Sequence, residues 1–83
     1  MTDAGNLSIR VGEPNWVPLE AVLTQEECAA YMYMGCAGTI ELYKHYETRR
    51  YLNISTEGSR FYLYREGRYV EVTRAVALHH VSH

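Results

Sequence analysis

The sequence predicts an α+β domain in which one main helix packs on the aliphatic face of an antiparallel meander sheet of four to five strands. Two observations carry this prediction. A helix-start motif stands at residues 24–27, and the segment from Thr39 onward is dense in Tyr, Ile, Leu and Val, with turn residues at regular intervals. With 83 residues and no internal repeat or linker, the chain is expected to form one domain over residues 1–83.

The first strand is predicted at residues 7–11, where apolar and polar side chains alternate with period two and stop at Gly12. The connector that follows holds two prolines, which cannot donate to a strand ladder. The second of them, Pro18, suits the first position of a short helical turn. That turn would place Leu19, Val22 and Leu23 on one side.

The main helix is predicted over residues 25–34. Thr24 and Glu27 have the spacing of a capping box, in which a hydroxyl and a carboxylate satisfy each other's backbone donors. Either Gly35 or Gly38 can end such a helix. The residues expected on its core face are Cys28, Tyr31 and Met32.

Four strands are predicted in the second half of the chain, at residues 39–45, 49–55, 60–65 and 68–73. The last two are separated by Glu66 and Gly67, a two-residue gap typical of a tight hairpin. The segment 75–81 fits either a further strand or a helical turn.

Period-two alternation assigns the strand residues to two faces. The aliphatic face collects Ile40, Leu42, Leu52, Ile54, Phe61, Leu63, Val70 and Val72. The opposite face, called the tyrosine face below, collects Glu41, Tyr43, His45, Arg49, Tyr51, Asn53, Tyr62, Tyr64, Tyr69 and Glu71. Five of the eight tyrosines therefore fall on one surface, and a phenol combines an apolar ring with a polar tip suited to interfaces.

The tyrosine face is open to several interpretations. Tyrosines in strands make good cross-strand pairs, so the face could serve stability alone. It could form a homodimer interface, bind a protein partner or planar ligand, or stack single-stranded nucleic acid, with Lys44 and the nearby arginines on the phosphates. The candidate binding residues are Tyr43, His45, Arg49, Arg50, Tyr51, Asn53, Tyr62, Tyr64 and Tyr69.

The charge balance argues against a nonspecific nucleic-acid binder, because the formal net charge is −2. Residues 1–38 sum to −4 and residues 39–83 to +2, so an anion-facing surface is expected in the second half. The first residues resemble neither a secretory leader nor a membrane span. We therefore expect a cytoplasmic protein that does not bind membranes, with its two cysteines reduced.

Catalytic and metal-binding patterns are weak. Cys28 and His45 could be written as nucleophile and base, but a cysteine on a core face usually acts as a small hydrophobe. His79, His80 and His83 offer an i, i+4 pair if the tail is helical, but the sequence has no Cys-x-x-Cys or His-Glu-x-x-His motif, so no metal or other cofactor is expected. In size and in having a helix before a sheet meander, the chain resembles the RelE-type toxins, which would imply a metal-independent ribonuclease. It lacks their strong basic charge.

A second resemblance is carried by Leu42-Tyr43-Lys44-His45 and by residues 48–53, Thr-Arg-Arg-Tyr-Leu-Asn. These segments are similar to stretches of short uncharacterised bacterial proteins of the accessory genome, of the integron-cassette, plasmid or phage type. The resemblance implies a small standalone domain acting as an adaptor or inhibitor through protein contacts. The favoured expectation is a noncatalytic binding or assembly module, a homodimer or protein-partner adaptor. The alternative is an RNA-acting protein that uses the same face.

Overall fold

The fold is α+β, built on one antiparallel sheet of six strands that follow one another in chain order. The computed structural model describes residues 9–82. The strands are β1 (Ile9–Arg10), β2 (Tyr31–Ala37), β3 (Ile40–His45), β4 (Tyr51–Ser55), β5 (Phe61–Arg65) and β6 (Arg68–Val72). The helices are α1 (Val17–Glu20), α2 (Gln25–Cys28) and α3 (Arg74–Ser82). The meander is confirmed, with more strands than the four to five expected.

Helix α2 begins at Gln25 as predicted, and α1 begins at Val17, one residue before the predicted start at Pro18. Pro18 lies in the first turn of α1, and Leu19 is fully buried beneath the helix. Thr24 caps α2 in both directions, because its Oγ1 accepts from Glu27 N at 3.1 Å while its own N donates to Glu27 Oε1 at 2.9 Å. This reciprocal pair satisfies two backbone donors that a helix start leaves open.

The expected ten-residue helix over residues 25–34 is wrong. Helix α2 ends at Cys28, and Tyr31 already belongs to β2. Residues 31–34 read Tyr-Met-Tyr-Met, a run in which every side chain is apolar, so its periodicity cannot separate a helix from a strand. Pairing with β3 along the whole of β2 outweighs local helix propensity.

Strand β1 confirms part of the first expected strand; residues 7 and 8 lie outside the described residues. It pairs with the end of β2 through Ile9 opposite Ala37 and Arg10 opposite Cys36. Gly35 makes this approach possible. It lies at a register shift in β2 with φ of +118°, and a Cβ there would stand 2.9 Å from the Arg10 carbonyl oxygen. A side chain would therefore collide with the β1 backbone.

The four strands expected after residue 38 are confirmed as β3 to β6, within two residues at each end. The hairpin between β5 and β6 turns on Glu66 (φ 50°) and Gly67 (φ 82°). Positive φ at both central residues is the signature of the primed turn that fits the strand twist. The alternation within this hairpin places Tyr64 directly opposite Tyr69.

The C-terminal segment, ambiguous from sequence, forms helix α3 against β4 and β5. Ala77 and Val81 are buried in the core. The last turn is fixed by the β3–β4 loop, where Thr48 Oγ1 donates to the Val81 carbonyl at 2.7 Å. Within residues 9–82, no helix has the length and apolarity needed to cross a membrane.

The helices cover one face of the sheet, which we call the helix face. Its core consists of Leu19, Tyr31, Tyr43, Leu52, Ile54, Phe61, Ala77 and Val81. The expected aliphatic face is only partly correct, because Ile40 and Leu42 form a separate cluster with Ala37 on the other side of the sheet. Strand β3 is buried on both faces from Ile40 to Tyr43, so its sequence does not reveal which side the helices cover.

Candidate ligand-binding cleft

A cleft of about 620 Å³ lies on the tyrosine face. This volume falls within the ~300–1,000 Å³ typical of small-molecule sites. Strand β4 runs along it and contributes Tyr51 and Asn53. Leu42 of β3 contributes apolar surface beside them.

The sheet must curl to form this cleft. Ile9 of β1 and Tyr69 of β6 both line it, although β1 and β6 are the two edges of the sheet. In a flat six-stranded sheet those edges would stand roughly 24 Å apart at about 4.8 Å per strand. The tyrosine face is therefore concave, and the residues on it converge.

The wall formed by β5 and β6 is aromatic. The rings of Tyr64 and Tyr69 meet edge to face, with centroids 4.8 Å apart. Burial raises the pKa of Tyr69, and nearby Tyr64 and Tyr51 raise it further, so its phenol is neutral at physiological pH. Tyr64 remains 60% exposed. The cleft thus offers both a half-buried ring and an accessible one for stacking.

Asn53 lines the cleft and has a buried side-chain oxygen. The side chain is 2% exposed, and its Nδ2 donates to the Tyr62 carbonyl at 3.1 Å. Its Oδ1 is buried and has no hydrogen-bond partner among residues 9–82. A buried amide oxygen without a hydrogen-bond donor lowers the stability of the fold by about 1–3 kcal/mol. This atom therefore still needs a donor.

Two arginines form the rim at the start of β4. Arg49 has a left-handed φ of 64°, and its N donates to the His45 carbonyl at 3.0 Å, which closes the β3–β4 loop. The Arg50 guanidinium approaches the His80 carbonyl of α3 at 3.5 Å. Burial and the positive charges of Arg50 and Arg65 lower the pKa of His80, so its imidazole, which also lines the cleft, is neutral at pH 7.

The structure brings six of the expected site residues to the cleft. They are Arg49, Arg50, Tyr51, Asn53, Tyr64 and Tyr69. Tyr62 lies on the same face, opposite Asn53 in β4–β5 register, and packs partly buried against the Ile40 cluster. Four of the five tyrosines assigned to this face are therefore on it.

Tyr43 is not a surface residue, contrary to the sequence-based assignment. It is fully buried in the helix-face core, where its ring stacks on Trp16 at 5.8 Å and its hydroxyl donates to the Asn15 carbonyl at 2.6 Å. Glu41, two residues earlier in β3, also lies on the helix face. The phase of β3 is thus one residue off from the expected one, because Tyr43 pairs directly with Leu52.

His45, also expected in the binding site, does not line the cleft. It lies opposite Tyr31 at the end of β3, with ring centroids 5.0 Å apart. Its Nδ1 accepts from the backbone N–H groups of Glu47 and Thr48, at 3.1 and 3.3 Å. The imidazole therefore organises the β3–β4 loop instead of facing the cleft.

Ile9, Leu42, Gly67 and His80 line the cleft but were not among the expected site residues. The hairpin signal at Gly67 was visible in the sequence, although its position beside the cleft was not. Ile9 and His80 reach the site only because the sheet curls and α3 docks at the start of β4, and neither event leaves a local pattern.

A second polar centre lies on the helix face, around the Glu41 carboxylate. It accepts from Tyr33 Oη at 2.6 Å, Thr56 Oγ1 at 2.8 Å and Asn15 Nδ2 at 3.4 Å. Burial alone would raise the pKa of Glu41, but these hydrogen bonds outweigh it and lower the pKa below its usual 4.5. The carboxylate is fully engaged, which marks a structural anchor instead of an acid or base.

The cysteines do not have the character of nucleophiles. Burial raises the pKa of both thiols, and nearby carboxylates, Glu20 for Cys28 and Glu41 for Cys36, raise it further. A reactive cysteine needs the opposite shift. Within the part of the chain that the structure describes, no group of three His, Cys, Asp or Glu side chains is arranged to hold a metal ion.

The chain matches no family model, no curated protein and no solved structure.

Proposed function

We propose that this protein is a noncatalytic binding module that holds a small planar ligand in the cleft on its tyrosine face. The observation that carries the proposal is the convergence of tyrosine rings, two arginines and Asn53 on one cavity of ligand size, with the buried Asn53 amide oxygen lacking a hydrogen-bond partner among residues 9–82. An apolar, aromatic pocket with a few polar groups is the usual composition of a small-molecule site.

The groups that the described residues bring to the cleft support a binding role. The cleft presents phenols, an imidazole and two guanidinium groups, all of them hydrogen-bonding or charged groups that orient a ligand. The buried Glu41 carboxylate lies on the other face, where it accepts from the hydroxyls of Tyr33 and Thr56.

The test is a ligand-observed NMR screen of planar aromatic fragments against the wild-type chain, followed by mapping of amide shifts. We expect the shifts to cluster at Tyr51, Asn53 and Tyr69. Tyr69→Ala should weaken the hits, whereas Tyr46→Ala should leave them unchanged, because Tyr46 is exposed but lies outside the cleft. No hit, or hits scattered over the surface, would overturn the proposal.

A homodimer formed through the same face is the second candidate. Its support is the exposure of apolar groups beside the cleft, with Ile9 54% and Tyr64 60% exposed, since aromatic residues are enriched at interface centres. Light scattering should then report twice the chain mass of 9.6 kDa, and Tyr51→Glu with Tyr62→Glu should give a folded monomer. A monomer at every concentration would exclude it.

The RNA-acting alternative uses the same rings and arginines. Its affinity should fall steeply with salt and weaken when Arg49 and Arg50 are both changed to Ala. The absence of gel retardation even at low salt would remove it. The overall charge of −2 favours the small-ligand proposal over this one.

A further inference from the structure

We infer that the ligand of the cleft is a planar aromatic ring that carries an N–H donor for Asn53 Oδ1 and an anionic group for the arginine rim at Arg49 and Arg50. This inference rests on the proposed function and specifies its ligand class. Three separate features of the cleft support it, and each sets one property of the ligand.

The first feature is the fixed orientation of the Asn53 amide. Its Nδ2 donates to the Tyr62 carbonyl, so the amide cannot rotate by 180° without bringing two oxygens together. Oδ1 therefore lies on the side of Asn53 away from β5, in a side chain that lines the cleft. A group that satisfies it has to be a donor, and an N–H or O–H on the ligand meets that need.

The second feature is the charge of the rim. Among residues 9–82, the formally charged side chains lining the cleft are Arg49 and Arg50, both of them cationic. Arg49 is held by its loop backbone, and its guanidinium is exposed at the start of β4. Guanidinium groups bind carboxylates and phosphates through paired hydrogen bonds, so the rim selects an anion.

The third feature is spacing. Asn53 stands three residues beyond Arg50, a distance of about 10 Å at ~3.3 Å per strand residue. The Tyr51 ring lies between them, with Tyr69 on the neighbouring wall. A ring between these tyrosines can meet Asn53 with its donor and extend its anionic group to the rim. Nucleoside monophosphates and aromatic carboxylic acids share this chemistry.

Calorimetric titration of the wild-type chain with matched probes tests the anionic group. The charged probes are adenosine 5′-monophosphate and indole-3-acetate, and their neutral counterparts are adenosine and indole-3-acetamide. We expect at least one charged probe to bind about 5-fold or more tighter than its counterpart at low salt, since hydrogen bonds to charged groups are stronger than neutral ones and salt screens only part of the difference. The pair with the larger difference in affinity shows whether the rim binds a phosphate or a carboxylate.

The donor is tested by changing the probe, because Asn53 also supports Tyr62 and its substitution could disturb folding. Purine riboside 5′-monophosphate and 1-methylindole-3-acetate lack the adenine amino group and the indole N–H. The relevant analogue should bind roughly 3- to 10-fold more weakly than its parent. Equal affinity would overturn the assignment of Asn53.

The rim is tested with Arg49→Gln, and Arg60→Gln serves as the matched control because Arg60 is exposed and lies outside the cleft. Arg49→Gln should remove most of the preference for the charged probe and leave neutral binding unchanged. Equal binding of charged and neutral probes by the wild type would overturn the inference while leaving the proposed function intact. If neither the probes nor the planar fragments bind at the cleft, both are overturned.

Discussion

The phenol of Tyr33 donates a 2.6 Å hydrogen bond to the Glu41 carboxylate, joining β2 and β3 on the helix face. Burial raises the pKa of Tyr33, and this hydrogen bond raises it further because ionisation would set two negative groups against each other. The bond is short, as expected for a donor to an ionised acceptor. The bond therefore joins β2, which was predicted as a helix, to β3, whose residues were predicted on the opposite faces of the sheet.

Glu41→Gln should lower the free energy of unfolding by about 1–3 kcal/mol. The amide can accept at one atom only, and its NH₂ group would face a hydroxyl or thiol that donates to the native carboxylate. Urea denaturation measures the change. Glu71→Gln is the control, because Glu71 is exposed on β6 and should change stability by less than about 0.5 kcal/mol. Equal effects of both substitutions would contradict the anchoring role of Glu41.

The same carboxylate should make stability depend on pH in the acid range. Its pKa is lower in the folded chain than the usual 4.5, so the unfolded chain binds the proton more tightly. The contribution is therefore complete above about pH 4.5 and declines as pH falls through the folded-state value. Urea midpoints of wild type and Glu41→Gln should differ by a constant amount from pH 7 to 5.5 and converge below pH 4.5. If the difference between the two urea midpoints increased below pH 4.5, the pKa of Glu41 would be raised in the folded chain and not lowered.

Gly35→Ala should destabilise the chain by about 1–3 kcal/mol, since φ of +118° is strained for any side chain and the new Cβ meets the Arg10 carbonyl. Gly12→Ala is the matched control, with nothing within 4 Å of its added Cβ. Thermal denaturation compares the two, and amide exchange in β1 should rise only in Gly35→Ala. An unchanged melting temperature for Gly35→Ala would show that β1 does not pack against this glycine.

Tyr43→Phe separates folding from binding. Loss of the hydrogen bond to the Asn15 carbonyl should cost about 0.5–1.5 kcal/mol, while fragment binding in the cleft should not change because the ring lies on the helix face. Tyr69→Ala should weaken fragment binding, because it removes the ring from the cleft wall. Denaturation and NMR titration of both variants provide the comparison, and a binding defect in Tyr43→Phe would return that residue to the site.

Local chemistry was enough to predict several elements. The Thr24 capping box, the Glu66-Gly67 turn and the alternation in β5 and β6 each depend on residues within a few positions of one another. Register then followed from alternation, which correctly placed Tyr62 and Tyr64 on the face of Asn53. These are the parts of the site that the sequence could predict.

The remaining parts depend on contacts between distant residues. Strand β2 is apolar throughout, and β3 is buried on both sides, so hydrophobic periodicity carried no signal at Tyr31 or Tyr43. Glu41 is 3% exposed and looks like a solvent residue until its four hydrogen-bond partners are assembled. The curl of the sheet and the docking of α3 likewise arise only when the whole chain packs.

The Arg50 guanidinium is one of the contacts that join α3 to the sheet, beside the Thr48 hydrogen bond and the packing of Ala77 and Val81. Arg50 points toward the carboxyl end of this helix, whose last carbonyls carry partial negative charge. A ligand anion on the rim would compete with the helix end for that positive charge. Occupancy of the cleft and fraying of the last turn of α3 are then coupled equilibria, so hydrogen exchange at Val81 would report on a ligand bound on the opposite face of the sheet.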